Sequence, residues 1–210
     1  MPLVRAIATV GGWTMGSRIL GFVRDMFIAG FLGAGQISDA FFVALQFPNI
    51  FRRLFAEGAF NVAFVPLFAG ELTEHGRAAA REFAERVFGV MLVLLIGLTF
   101  LVEIYMTEVM TVVAGGFVDE PEKFRLTVDF ARLTFPYLWL ITLASLMGAV
   151  LNALEKFAAA AAAPCLLNII MIGALLLGAD ALDTPGHVLS VAVTLAGLAQ
   201  LVMMAWALQR

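Results

Sequence analysis

Long uncharged apolar runs alternate with short charged connections along this 210-residue chain. From Leu133 to Leu154 and from Phe157 to Ala179 no formally charged side chain occurs. Each run exceeds the ~20 residues that a helix rising 1.5 Å per residue needs to cross ~30 Å of hydrocarbon. Reading the other charge gaps the same way predicts six spanning helices, over 6–32, 38–70, 84–112, 126–154, 157–179 and 187–209. The apolar positions run on continuously and do not alternate with period two, which argues against lipid-facing barrel strands. The pattern therefore predicts an all-α, polytopic membrane protein.

Composition agrees. The chain is 62% hydrophobic with mean hydropathy +0.97, and only 14% of its residues are charged, against about 25% in soluble domains. Basic residues in the connections set the expected orientation. With the N-terminus inside, Arg5, Arg77, Arg81, Arg86, Lys156 and Arg210 are cytoplasmic, while Lys123 and Arg125 are outside. Both ends of the chain then lie in the cytoplasm. Arg18 and Arg24 interrupt the apolar run that follows Met-Pro-Leu-Val-Arg, and no small-residue cleavage site follows it, so the first helix reads as uncleaved.

The charges inside the expected spans carry the functional information: Arg18, Arg24 and Asp25 in the first, Asp39, Arg52, Arg53 and Glu57 in the second. A charge at bilayer depth costs from a few to more than ten kcal/mol, so such residues call for a hydrated cavity and a partner. At 100° per residue, Thr14, Arg18, Gly21 and Asp25 share one stripe of the first helix, with Ser17 and Arg24 on its flank; Trp13, Ile19 and Phe27 lie opposite. In the second helix Asp39, Gln46, Arg53, Glu57 and Asn61 fall within about 60° of a common direction. Two such stripes facing each other would enclose a polar chamber with a basic excess. Pro48 breaks the helical phase before Arg52, so spacing does not choose between Arg52 and Arg53. The same arginines could instead pair with Asp25, Asp39 or Glu57 to hold helices together, or snorkel to the interface.

Other chemistry is scarce. The lone Cys165 cannot form an internal disulfide, and His75 and His187 lie in separate connections, so no metal or cofactor is expected. Ser17 and Ser38 have no histidine within reach, and no glycine-rich phosphate loop precedes a lysine, so neither hydrolysis nor ATP use is indicated. The chain reads as a transporter, not an enzyme, with no nucleic-acid partner.

Three segments make the sequence recognisable: Ser17-Arg18-Ile19-Leu20-Gly21-Phe22-Val23-Arg24-Asp25, then Ser38-Asp39-Ala40-Phe41-Phe42-Val43-Ala44, then Pro48-Asn49-Ile50-Phe51-Arg52-Arg53 continuing to Phe60. Together with Phe135-Pro136-Tyr137, Leu151-Asn152-Ala153-Leu154 and Pro164 before Leu166-Leu167-Asn168-Ile169, they resemble the MurJ (MviN) family of lipid II flippases. The alanine run from Ala158 to Ala163 is the plainest departure.

The resemblance implies membership of the multidrug/oligosaccharidyl-lipid/polysaccharide exporter superfamily. It implies movement of the undecaprenyl-diphosphate-linked peptidoglycan precursor, lipid II, from the inner to the outer leaflet of the bacterial cytoplasmic membrane. It further implies two lobes around a basic cavity, of which residues 1–210 would supply the N-terminal one, with the second lobe lying beyond this chain. Residues matching Arg18, Arg24, Asp25 and Arg52 are the family's candidates for holding the diphosphate and gating the cavity; Asp39, Asn49 and Glu57 match other polar motif positions. With Ser17 and Arg53 these form the candidate substrate-binding set. Lipid II and membrane lipids are the expected partners, with cell-wall synthesis enzymes as further candidates. Two other readings remain: a related exporter of drugs or polysaccharide lipids, and a non-transporting scaffold for cell-wall enzymes.

Overall fold

The structure is a computed structural model that describes residues 2–53 and 59–209. Its described residues form nine α-helices: α1 (Pro2–Leu32), α2 (Gln36–Arg52), α3 (Ala59–Glu74), α4 (Gly76–Ile104), α5 (Met106–Val113), α6 (Pro121–Thr134), α7 (Tyr137–Ala153), α8 (Phe157–Gly178) and α9 (Pro185–Gln209). No strand occurs among them, so the all-α expectation holds.

The helix ends follow from local chemistry. Gly33 closes α1 in the left-handed region at φ 64°, and its N–H reaches the Ala29 carbonyl at 3.1 Å. The next turn is tied by Ser38, whose hydroxyl oxygen accepts from the Gly35 N–H at 3.2 Å. The helix expected over 84–112 starts earlier, at Gly76, because Arg81 with Glu85 and Arg86 with Glu82 form i,i+4 pairs that wind the charged segment into α4. Upstream, α2 covers 36–52 and α3 covers 59–74 of the stretch expected as one helix over 38–70; residues 54–58 lie outside the described set.

The run expected as one helix over 126–154 is interrupted between Thr134 and Tyr137. Pro136 has no N–H to continue the ladder, and the Thr194 hydroxyl of α9 donates to the Leu133 carbonyl at 2.6 Å. At its far end α7 closes in a Schellman motif: Lys156 N–H bonds to Leu151 O at 2.8 Å and Glu155 N–H to Asn152 O at 3.0 Å. Glu155 itself sits at φ 61°, where glycine is usual.

The broken α6–α7 unit is the centre of the lobe. In its most apolar window 72% of residues are buried, against 22% for α4, whose apolar flank faces outward as lipid contact requires. Helix α2 lies on α6, α1 on α8, and α9 against both α7 and α8. Phe47 stacks on Phe135 with centroids 5.0 Å apart, and Phe51 meets the same ring edge-on at 6.0 Å. Pro48 leaves the Ala44 carbonyl without its usual helical donor; the Thr134 hydroxyl of α6 lies 3.2 Å from it, sharing its proton with Phe130 O at 2.9 Å. Among the described residues, four units are long and apolar enough to cross a membrane: Gly76–Ile104, Pro121–Ala153, Phe157–Gly178 and Pro185–Gln209.

Candidate functional site

Helix α1 packs on α8 through Gly21 and the flank residues Ser17 and Arg24 and makes only slight contact with α2, while Thr14, Arg18 and Asp25 of its polar stripe are exposed. The expected chamber between facing stripes of the first two helices is therefore not how the lobe is built. The reason lies in α8, which offers α1 a polar partner in an otherwise apolar helix. Asn168, only 4% exposed, accepts from Arg24 Nη1 at 2.9 Å and donates through Nδ2 to the Ser17 carbonyl at 3.1 Å. Gly16 and Gly21 of α1 face α8, where a Cβ would make ordinary contact, 3.9 Å from Cys165 Sγ and 3.7 Å from Asn168 Nδ2. Cys165, one turn earlier, is buried with its thiol 3.5 Å from the Trp13 carbonyl.

Arg24 is further engaged by its neighbour. Its Nε and Nη2 both donate to Asp25 Oδ1, at 3.0 and 2.8 Å. The guanidinium is half-buried and Asp25 is exposed, so the pair sits at an edge of the lobe. Ser17 enters the cluster through its carbonyl. Arg18 is exposed and has no ion pair or hydrogen bond among the described residues.

The second group lies at the end of α2. Asn49 donates to the Leu45 carbonyl at 2.8 Å, and its Oδ1 accepts from Arg52 Nε at 3.2 Å. Both residues face a cavity of about 800 Å³ whose wall also carries Tyr137, Ser145 and Asn152 of α7 and Gln200 of α9. Gln200 is buried; its Nε2 donates to the Ala163 carbonyl at 2.7 Å, while its Oε1 is buried without a partner. Pro164 and Leu167 of α8 close the chamber on the side next to Asn168.

Tyr137 lines this cavity beside Asn49 and Arg52. Its ring is fixed by α9: a Cβ on Gly197 would fall 2.6 Å from Tyr137 Cδ2, so only glycine permits this contact. Arg52 thus faces the cavity, while Arg53 is exposed and has no ion pair or hydrogen bond among the described residues.

Asp39 stands apart. Thirteen residues before Arg52 on the same helix, it is roughly 20 Å away along the axis, and it pairs with Lys123 Nζ of α6 at 2.9 Å. Lys123 is 9% exposed, lies 3.6 Å from Glu120 and caps the Phe117 ring at 4.0 Å from its centroid. Glu57, the remaining candidate, lies outside the described residues. Among the described residues no group of three or more His, Cys, Asp or Glu side chains could hold a metal ion.

Asn168, Tyr137, Ser145, Asn152, Gln200 and Lys123 escape a search for charge inside spans, because all but Lys123 are neutral and Lys123 reads as a loop cation. A search for any amide inside an uncharged span finds Asn168 as the only one in α8.

A bundle with several helical units long and apolar enough to cross a membrane, and with a guanidinium facing a part-open cavity of mixed lining, has the build of a multi-pass membrane protein. A family profile described as "Lipid II flippase MurJ" matches residues 28–210, and the chain belongs to that family. It is 50% identical over 206 residues to a probable lipid II flippase MurJ of Rhizobium meliloti, an alignment covering 96% of this chain and 38% of the relative. The lipid II flippase MurJ of Burkholderia cenocepacia is 38% identical over 200 residues, 95% of this chain and 39% of that protein. A solved structure, "Lipid II flippase MurJ, inward closed conformation", superposes with a TM-score of 0.79 at 24% identity, covering 94% of this chain and 41% of that one. The chain thus spans about two fifths of the length of these relatives.

Proposed function

We propose that this chain forms the N-terminal lobe of a lipid II flippase, moving the undecaprenyl-diphosphate-linked precursor from the inner to the outer leaflet of the bacterial cytoplasmic membrane. The observation that carries the proposal is that Arg52, held by Asn49, faces the cavity, while Arg24 is held by Asn168 next to Leu167 of the cavity wall. A diphosphate with a sugar-peptide head cannot cross hydrocarbon unaided, whereas its lipid tail need not leave it. The protein therefore has to supply the head with a wet, basic path. Arginine suits this role because its planar fork grips phosphate oxygens in pairs and stays ionised when partly desolvated.

In this reading Arg18, Arg24 and Arg52 meet the diphosphate, and Asp25 holds Arg24 in place while the cavity is empty. Asn49 orients Arg52, Glu57 is a further polar contact for the head group, and Arg53 stays outside the grip. Asp39 works through its pair with Lys123, as a fastening between α2 and α6. Six spans place both chain ends in the cytoplasm, α2 and α3 counting as one span and α6 and α7 as another. A second lobe rocking against this one gives alternating access. Rearranging the cavity's ion pairs makes transport sensitive to membrane potential, at ~2.3 kcal/mol per charge moved through 100 mV.

The test is reconstitution of the full-length cellular product in liposomes with labelled lipid II, following arrival of the label at the opposite leaflet. Flipping that slows when the potential is collapsed and stops in Arg24→Ala supports the reading. Flipping untouched by both changes refutes it. Selective binding of organic cations would favour the drug-exporter alternative, and recruitment of cell-wall enzymes without flipping would favour the scaffold.

A further inference from the structure

Arg24 is held by two groups, and one of them belongs to a helix whose role lies outside the arginine motif. Asp25 takes Nε and Nη2 on one side, and Asn168 takes Nη1 on the other. A guanidinium carries five N–H donors, so these three bonds leave two, one on each terminal nitrogen. The orientation of the Asn168 amide is unambiguous, because arginine can only donate and the Ser17 carbonyl can only accept. Its burial at 4% exposure excludes competing water. The residue next to it, Leu167, lines the cavity together with Pro164. Asn168 therefore joins α1 to the wall of the chamber at the point where Arg24 stands.

We propose that Asn168 is a positioning residue: its amide locks the Arg24 fork against α8, so that the two remaining N–H groups are presented as a fixed pair to an anionic oxygen ligand. The assignment rests on the proposed role of Arg24 in gripping the diphosphate. It also makes α8 the element through which movement of the cavity wall is felt at Arg24. A shift of α8 by less than a helical turn withdraws the Asn168 oxygen and frees the guanidinium to swing on Asp25 alone.

The test uses the full-length product and two readouts, labelling of Arg24 by an arginine-specific dicarbonyl reagent and flipping of lipid II in liposomes. Arg18, exposed on the same helix, is the internal control. In Asn168→Leu, which keeps the branched outline and loses both hydrogen bonds, Arg24 labelling rises roughly tenfold or more with Arg18 unchanged, as loss of a hydrogen bond to a charged group implies. Flipping falls to a similar degree. Asn168→Asp keeps the oxygen that accepts from Arg24 and so retains the protected Arg24. Asn168→Ala, which demands less of the packing, serves where the leucine variant does not fold, with the same expected rise.

Wild-type labelling of Arg24 in both the leucine and alanine variants overturns the proposal. So does full flipping by variants whose Arg24 has become reactive, provided that Arg24→Ala is inactive. If Arg24→Ala itself flips lipid II normally, the proposed role of Arg24 fails, while a labelling rise still shows that Asn168 holds its guanidinium.

Discussion

The two ends of α2 use charge in opposite ways. At the start, Asp39 meets a buried Lys123 that also touches Glu120 and the face of Phe117, so both signs are matched within one cluster. At the finish, Arg52 takes a neutral amide, Asn49, and faces a cavity of about 800 Å³ walled by tyrosine, serine and amide groups. A cluster that supplies its own counter-charge resists change, because removing one partner weakens the hold on the buried cation. A cation that lines a part-open cavity can be reached by an incoming anion. Intramembrane charge therefore has two settings here, fastening helices at one end of α2 and lining a cavity at the other.

Breaking the open end should have the largest effect. Arg52→Ala removes a fork able to make two hydrogen bonds to phosphate, each worth about 1.5–3 kcal/mol, and should slow lipid II flipping by roughly 100-fold or more at unchanged protein abundance. Arg52→Lys keeps the charge without the fork and should fall between that variant and wild type. Next comes the contact that fixes Tyr137. Gly197→Ala forces a Cβ into the tyrosine ring and against Leu140 Cβ at 3.1 Å, an overpacking that should cost about 1–3 kcal/mol and lower Tm in detergent.

The closed end should respond differently. Asp39→Asn and Lys123→Gln should each lower Tm, and the double variant should recover part of the loss; flipping by the folded protein should change less than about tenfold. The smallest effect belongs to Arg53→Gln. Exposed and without an ion pair or hydrogen bond among the described residues, Arg53 should alter stability by no more than about 0.5 kcal/mol and leave flipping intact. Equal sensitivity at Arg52 and Arg53 would remove the distinction between cavity-facing and outward cations.

The all-α class was legible because uncharged runs such as 157–179 are too long and too continuous for anything but membrane helices. That Arg24 and Arg52 would seek polar partners was legible from the cost of charge at membrane depth, and each has an amide, Asn168 and Asn49. What the wheel could not supply was the partner of each face. A period of 3.6 residues groups Asp39 with Arg53, but it ignores the roughly 20 Å that separates the two ends of the helix. It also cannot tell that α1 turns to α8 after the Gly33–Gly35 bend. Helix ends drawn from charge gaps were displaced at α4, where i,i+4 ion pairs made charged residues helical. Asn168 was hidden by its neutrality, although a single amide in an apolar span has to find a partner when buried.

The contrast between the ends of α2 is tested most directly by the affinity of the full-length protein for lipid II in Arg52→Gln and Lys123→Gln, each of which removes one positive charge. The account predicts that affinity falls roughly tenfold or more in Arg52→Gln and stays near wild type in Lys123→Gln. Equal losses, or a greater loss at Lys123, would contradict it.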